Sequence, residues 1–440
     1  MGNLGRLTTL TAVLLILAGA TAFFSSARLF SGADDGDNHR VAAVDSPTDR
    51  DVFRLQNRVA AAPQDLAGLN ALGFGYLQKA RESGDPAFYS KADGIFQQAL
   101  AVDSRQPDSL LGASSVSLAM HNFPQALQWA QRALGSAPDD PDSYGALGDA
   151  LVELGRYDEA LDAFQRMLDV RPDLNAYVRV AYLRELHGDT GGAIEAMRLA
   201  IEASRPTGET AAWVRSQLGH LYLNSNALDE AASQYEASLD AFPGYVHALA
   251  GLARVAAARG GYDEAMDLYV EVTARQPILE YVAALGDVYR AAARGEEAQR
   301  QYDLVAAIDS LYRANGIDTG LEIALFLADH DLRLDEAVAE ARSVYEARPG
   351  SVRAADVLSW ALYKAGAYDE ALVYTKEAVR LGTQDPALLF HAGMINYRAG
   401  NRETARDNLS RALEINPRFS VLYSEEAAST LEKLQSAVRE

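Results

Sequence analysis

Residues 141–174 read PDSYGALGDALVELGRYDEALDAFQRMLDVRPDL, and two short helices are legible in them. Tyr144, Leu147, Leu151 and Leu154 keep the i, i+3/i+4 spacing of one buried helical face. Gly155 ends that helix, because glycine enters the left-handed backbone region at little steric cost. Asp158 and Glu159 open the next helix, where carboxylates cap free N–H groups and meet the positive end of the dipole. Ala160, Phe164 and Met167 continue the apolar stripe. Pro172 stops it, since its ring cannot carry on the hydrogen-bond ladder. Gly148 and Ala160 are small, so the two helices can cross closely. The unit is an αα-hairpin of 34 residues.

The hairpin recurs along the chain. An alanine opens a similar helical segment at Ala92, Ala126, Ala160, Ala193, Ala231, Ala265, Ala298, Ala337, Ala371 and Ala405, at spacings of 34, 34, 33, 38, 34, 33, 39, 34 and 34. Tyr157-Asp158-Glu159-Ala160, Tyr262-Asp263-Glu264-Ala265 and Tyr368-Asp369-Glu370-Ala371 are near-copies. Upstream stand Leu147-Gly148, Leu218-Gly219 and Leu285-Gly286. Downstream stand Pro138, Pro172, Pro243, Pro277, Pro349 and Pro417. A fixed period in this range marks a solenoid.

The set Tyr144, Leu147, Gly148, Leu151, Ala160, Phe164 and Pro172 resembles the tetratricopeptide repeat family. The resemblance covers residues 52–419. It implies an all-α fold: a right-handed α-solenoid of about ten helix-turn-helix repeats, with the first helix of each lining a concave face. The chain is read as 51–419 for the array and 420–440 for a C-terminal capping helix. Extra residues lie near Arg81–Ala87, near Arg205–Glu209 and across Ala306–Asp318. The last of these lacks the closing proline, so its helix is expected to run long. Such insertions either bend the superhelix or form surface loops.

The amino end reads differently. Leu7 to Phe24 is an uncharged run of 18 residues behind Arg6. This is the pattern of a signal peptide or an N-terminal transmembrane anchor over 1–28. The polar, acidic stretch that follows reads as a flexible linker over 29–50. The repeat domain is therefore expected outside the cytoplasm, secreted, periplasmic or anchored at the cell envelope, with the membrane met only through the N-terminal segment.

Composition narrows the function. Lys+Arg number 40 against Asp+Glu 61, a formal charge of −21, which argues against nucleic acid as a partner. The absence of cysteine removes disulfides, thiolate metal sites and cysteine nucleophiles. No Gly-rich phosphate loop, GxSxG or HExxH is present. Asp329-His330-Asp331 is a local acid–histidine cluster, but it lacks the helical ligand spacing of a metal site, so no metal and no cofactor is expected.

The resemblance implies a noncatalytic scaffold that binds a protein or peptide partner in its concave groove. Carried over to this chain, the groove positions are Tyr182, Trp213, His220, Arg254, Arg290, Phe326 and Arg353. The C-terminal aromatic cluster adds Trp360, Tyr363, Phe390, Met394 and Tyr397. Trp, Tyr and Arg most often carry binding energy when desolvated. The paired Lys and Asn that grip a C-terminal carboxylate in chaperone-binding members have no match, since Asp149, His220, Arg254 and Asp287 stand there. Two other readings compete: an architectural or self-assembling spacer, and an enzyme with a site in the concave face. A closed pocket in place of an open groove favours the enzyme.

Overall fold

The computed structural model describes residues 47–436. Within them the chain forms twenty-two α-helices and no strand. Helix α1 (Pro47–Ala61) begins inside the span read as linker. Five hairpins follow: α2 (Leu66–Ser83) with α3 (Ala87–Val102), α4 (Pro107–Ala119) with α5 (Phe123–Ser136), α6 (Pro141–Glu153) with α7 (Tyr157–Val170), α8 (Leu174–Leu186) with α9 (Thr190–Ala203), and α10 (Glu209–Asn224) with α11 (Leu228–Ala241). Five more complete the array: α12 (Val246–Ala258) with α13 (Tyr262–Arg275), α14 (Leu279–Ala291) with α15 (Gly295–Ala314), α16 (Gly320–Asp329) with α17 (Leu334–Ala347), α18 (Val352–Lys364) with α19 (Tyr368–Ala378), and α20 (Pro386–Arg398) with α21 (Arg402–Ile415). Helix α22 (Ser424–Ser436) packs on α21. The signal or anchor reading, and the linker up to residue 46, fall outside the described residues.

Each hairpin is built as its sequence dictates. The Asp140 side chain caps α6 by accepting from the Ser143 N–H at 2.9 Å, and Pro141 opens the helix. The α6–α7 turn passes through Gly155 at φ +74°. A left-handed residue marks the turn of every hairpin: Gly84, His121, Gly155, Gly188, Asn226, Gly260, Ala293, Asp331, Gly366 and Gly400, with φ from 55° to 84°, and Arg333 adds a second at φ 41° in the turn of Asp331. Asp331 thus serves as a turn residue. That explains one member of the acid–histidine cluster.

Hairpins stack because small residues expose backbone to an aromatic wedge. A β-carbon on Gly148 would overlap the Phe164 ring. Tyr235 is covered by Gly219 of its own hairpin and by Gly251 of the next, and Phe96 by Gly73 and Gly112. Both rings are fully buried. Burial of one such side chain contributes about 1.5–3 kcal/mol.

The solenoid closes on itself. Five successive hairpin turns meet five loops one superhelical turn further along. The Gln276 amide donates to the carbonyls of Arg81 and Glu82 at 3.0 Å. His121 Nδ1 donates to the Asp318 carbonyl at 2.6 Å, and the Asp318 N–H donates to the Met120 carbonyl at 3.3 Å. The Val352 N–H donates to the Tyr157 hydroxyl at 3.0 Å, beside a buried Arg348–Glu153 ion pair at 3.1 Å. Gly188 abuts the Gly382 carbonyl, and the Asn416 amide donates to the Leu223 carbonyl at 3.0 Å. These side-chain hydrogen bonds span 193 to 197 positions. One turn of the superhelix therefore takes between five and six repeats.

The seam also has an apolar layer. Val352, from the second turn, is buried in a cluster with Leu151, Tyr157, Phe164 and Leu183 of the first, and Leu381 packs against it.

The insertions belong to this seam. Helix α2 runs to 18 residues, and its extension carries Gln78, Arg81 and Glu82. Gln78 donates to Glu209 at 3.2 Å, at the second insertion, and Arg81 lies 3.7 Å from the same carboxylate. The third insertion supplies Gly316 and Asp318, facing Met120 and His121. Helix α15 is long as expected, with 20 residues. His121, the left-handed residue of its hairpin turn, is a seam contact.

Candidate binding lumen

Closure of the seam turns the concave face into a lumen. The first helices α8, α10, α12, α14 and α16 wall it, with the starts of α18 and α20 and the loop after α21. The main chamber has a volume of about 590 Å³, and a side chamber of about 160 Å³ shares Asn224, Arg254 and Glu280 with it. Ile278, Leu279, Ala283, Ala284, Val288, Ile317, Leu325 and Phe326 give the main chamber an apolar lining.

Charges of both signs face this space. Arg254, Glu280, Glu322, Arg353 and Asp385 line the main chamber, and Glu185 lines the side chamber. Burial raises the Glu280 carboxyl above its usual range, while the nearby Arg254 and Arg353 charges pull it down. Burial and the Asp385 charge push Glu185 up to about 7. Asp385 is raised by burial, although the Ala387 and Leu388 N–H groups that it caps hold it down. Among the described residues, neither Glu280 nor Arg353 makes a hydrogen bond or ion pair. Glu322 Oε2 is buried without a hydrogen-bond partner, with His121 Nδ1 4.0 Å away.

The histidines are committed to protein partners. His220 Nδ1 accepts from the Tyr235 hydroxyl at 2.8 Å, and burial pushes the ring down to about 3. His247 Nδ1 accepts from the Tyr281 hydroxyl at 2.5 Å, and burial holds it at about 4. His330 is different. Its Nδ1 meets the Phe326 carbonyl at 2.7 Å and its Nε2 meets Asp287 at 2.7 Å. Both neighbours accept, an arrangement that favours the doubly protonated ring. Burial opposes that charge, but the Asp287 hydrogen bond and charge outweigh it and raise the pKa. The Asp329-His330-Asp331 cluster disperses: Asp329 accepts from Trp360 Nε1 at 2.8 Å, His330 holds Asp287, and Asp331 pairs with Lys364 at 2.8 Å.

The structure brings only part of the sequence-predicted groove together. Tyr182, His220, Arg254, Phe326 and Arg353 converge on the lumen. Trp213 packs between two inter-repeat clusters, and Arg290 is exposed outside the residues that line the chambers. The C-terminal aromatic group is corrected: Trp360, Phe390 and Met394 are buried core residues, 1%, 0% and 4% exposed. Trp360 stacks between Tyr363 at 4.9 Å and His391 at 4.2 Å, and Phe390 stacks on Tyr423. Tyr363 and Tyr397 pack against this core. The reason is the capping segment, which lays Phe419 and Tyr423 over the face that an open last repeat would expose.

Glu280 and Asp385 escaped the sequence reading. The signal for Glu280 was present. It is the second residue of its helix, as His247 and Arg353 are of theirs. Asp385 lay hidden as an ordinary helix cap.

An all-α repeat solenoid with charged side chains turned towards its axis is the architecture of an interaction scaffold. Tetratricopeptide repeat families match residues 117–184, 216–277 and 331–386, within the array of hairpins described above. The chain is a tetratricopeptide repeat protein. It is 24% identical over 315 residues to a TPR repeat-containing protein of Methanocaldococcus jannaschii, covering 66% of this chain and 53% of that one. It is 34% identical over 122 residues to the CTR9 homolog of Arabidopsis thaliana, covering 26% of this chain and 11% of that one. The chain thus spans about half the length of the first relative and a tenth of the second. Among solved structures it is similar to a thermophilic TPR protein of Thermus thermophilus, at 22% identity, TM-score 0.38, covering 44% of this chain and 97% of that one. It is also similar to YrrB, described as a TPR protein with an unusual peptide-binding site, at 20% identity, TM-score 0.29, covering 41% of this chain and 92% of that one.

Proposed function

We propose that the protein is a noncatalytic interaction scaffold that receives a short protein or peptide segment in its lumen. The observation that carries this reading is the convergence of Arg254, Glu280, Glu322 and Arg353 from four different first helices on one apolar-lined chamber. A rigid wall set before the partner arrives lowers the ordering cost of binding. Because the seam shuts the side of the superhelix, the segment enters along the axis. A chain end or tight loop fits this route better than a long helix laid across a groove. A photo-crosslinking residue placed at Leu325 in the lumen should capture the partner, and one at the outward-facing Leu161, 54% exposed, should not. Capture only from Leu161 refutes the lumen reading.

The enclosure favours a second reading, a catalytic lumen. Against it, His220 and His330 at its wall are both engaged by protein groups, leaving neither free to act as a base.

The apolar run Leu7–Phe24 supports placing the array outside the cytoplasm, exported or anchored at the envelope. No helix among the described residues is long and apolar enough to cross a membrane. N-terminal sequencing of the native protein, with protease access from the outer side of the membrane, tests this placement. An intact Met1 on a protease-shielded array overturns it.

A further inference from the structure

The lumen presents charges of both signs that the protein does not pair with one another. The Arg254 and Arg353 charges both act on Glu280, yet no ion pair joins them. Arg353 and Glu280 have no hydrogen-bonding partner among the described residues, Arg254 has only a 3.5 Å approach to His220, and Glu322 Oε2 is buried and unsatisfied. Glu280 and Arg353 are exposed within the chamber and Arg254 is half-buried, so each is open to an incoming ligand. An occupant carrying the opposite charges can make charge-assisted contacts with them.

Three properties of the chamber define that occupant. Its volume of about 590 Å³ lies within the range of roughly 300–1,000 Å³ typical of small-molecule sites. Its unpaired groups include both guanidinium and carboxylate, so a plain anion would face Glu280 and Glu322, and a plain cation would face the arginines. Its lining between them is apolar, with Leu279, Ala283, Ile317 and Phe326.

We propose that the lumen binds a small zwitterion with an apolar side chain, of the size of a free amino acid to a short peptide. The carboxylate lies towards Arg254 and Arg353, the ammonium towards Glu280 and Glu322, and the side chain against the apolar lining. This rests on the lumen being a binding site, as proposed above, and specifies what enters it. A partner segment could present the same neighbouring charges on side chains. The size of the chamber and the closed seam favour the free molecule.

The experiment is isothermal titration of the full chain with tri-leucine, N-acetyl-tri-leucine and tri-leucine amide, alongside an internal-sequence peptide capped at both ends with a Lys-Leu-Leu-Glu core. Free tri-leucine is expected to bind, and each single cap to weaken binding roughly tenfold or more, the loss of one charge-assisted contact. In Glu280→Gln the acetyl cap should no longer matter, while the amide cap still does. In Arg353→Gln the reverse is expected. Thermal midpoints of both variants without ligand establish that they fold. Free and capped tri-leucine binding equally, or either variant retaining both cap effects, overturns the proposal. Binding of the doubly capped peptide alone overturns the zwitterion and leaves the scaffold reading standing. No heat and no thermal shift with any probe overturns both.

Discussion

Gly155 and Gly350 stand in adjacent turns of the superhelix and pack backbone on backbone. A β-carbon on Gly155 would overlap the carbonyl of Gly350. Glu153–Arg348 and Tyr157–Val352 bridge the same two strips of chain on either side, each across 195 positions. The contact is close because both residues lack a side chain, and Gly155 also needs its left-handed φ of +74°. The seam therefore depends on a position that looks, within its own hairpin, like an ordinary turn.

Gly155→Ala should part the seam. An alanine in the left-handed region costs about 1–2 kcal/mol wherever it stands. Gly366 supplies the control: its φ is +84° and nothing lies near its missing β-carbon. Thermal midpoints should fall for both variants and further for Gly155→Ala. Small-angle scattering should show larger dimensions for Gly155→Ala alone. Equal midpoints and unchanged dimensions would mean that the two turns are held by other contacts.

Trp360 should behave as a core residue and not as a partner anchor. It is 1% exposed, stacked on Tyr363 and His391, and donates to Asp329. Trp360→Ala should cost about 3–5 kcal/mol in urea unfolding, the range for emptying a large aromatic site. Trp360→Phe keeps much of the volume but strands the Asp329 carboxylate, and should cost about 1–3 kcal/mol. Partner capture by the folded Trp360→Phe protein should be unchanged. Loss of capture without loss of stability would restore Trp360 to the binding face.

The repeat was legible in the sequence because each hairpin writes its own rules locally. Gly148 must be small to admit Phe164, Gly155 must turn, and Pro172 must stop the helix; all three lie within one 34-residue unit. The seam was not legible. Its partners lie five to six repeats apart, and nothing near Tyr157 announces that Val352 will donate to its hydroxyl. The candidate site fell between these cases. First-helix positions led to Arg254 and Arg353, which line the chamber, since the repeat fixes their direction. The same rule pointed to Trp360 and Phe390, which the loop holding Phe419 and Tyr423 then covers. Left-handed His121, Asn226 and Ala293 show why turns are missed when only glycine is sought.

Stability should fall on both sides of neutral pH, through different histidines. His330 has a raised folded pKa, so its contribution is complete below the unfolded value near 6.5 and is lost as pH rises through the folded value. His247 has a folded pKa lowered to about 4. Between 6.5 and 4 the unfolded chain takes up a proton that the folded chain refuses, and stability drops as pH falls. His330→Gln should flatten the alkaline limb of the midpoint-against-pH curve and leave the acid limb. His247→Gln should lessen the drop over pH 4–6.5, leaving the share that His220, lowered to about 3, contributes, and should leave the alkaline limb. Parallel curves for wild type and either variant would contradict the assigned protonation state.

Asp149, carried over from the family as a groove position, belongs instead to a buried ion pair with Arg179 of the next hairpin. The two make a bidentate contact, Nε to Oδ1 at 2.9 Å and Nη2 to Oδ2 at 2.6 Å, with side chains 7% and 3% exposed. Arg179 Nη1 also donates to the Asn175 carbonyl at 2.9 Å, which fixes the guanidinium plane. Burial raises the Asp149 pKa despite its partner, so desolvation outweighs the attraction at this site. An apolar pair of similar volume should then serve as well as the charged one, whereas either charge alone should not. Asp149→Leu alone should cost about 3–5 kcal/mol by stranding the guanidinium, and Asp149→Leu with Arg179→Met should recover most of that loss. Unfolding of both singles and the double in urea gives the coupling directly. A double variant as unstable as the sum of the singles would show that the side chains act separately, Arg179 through Asn175 and Asp149 by packing within α6.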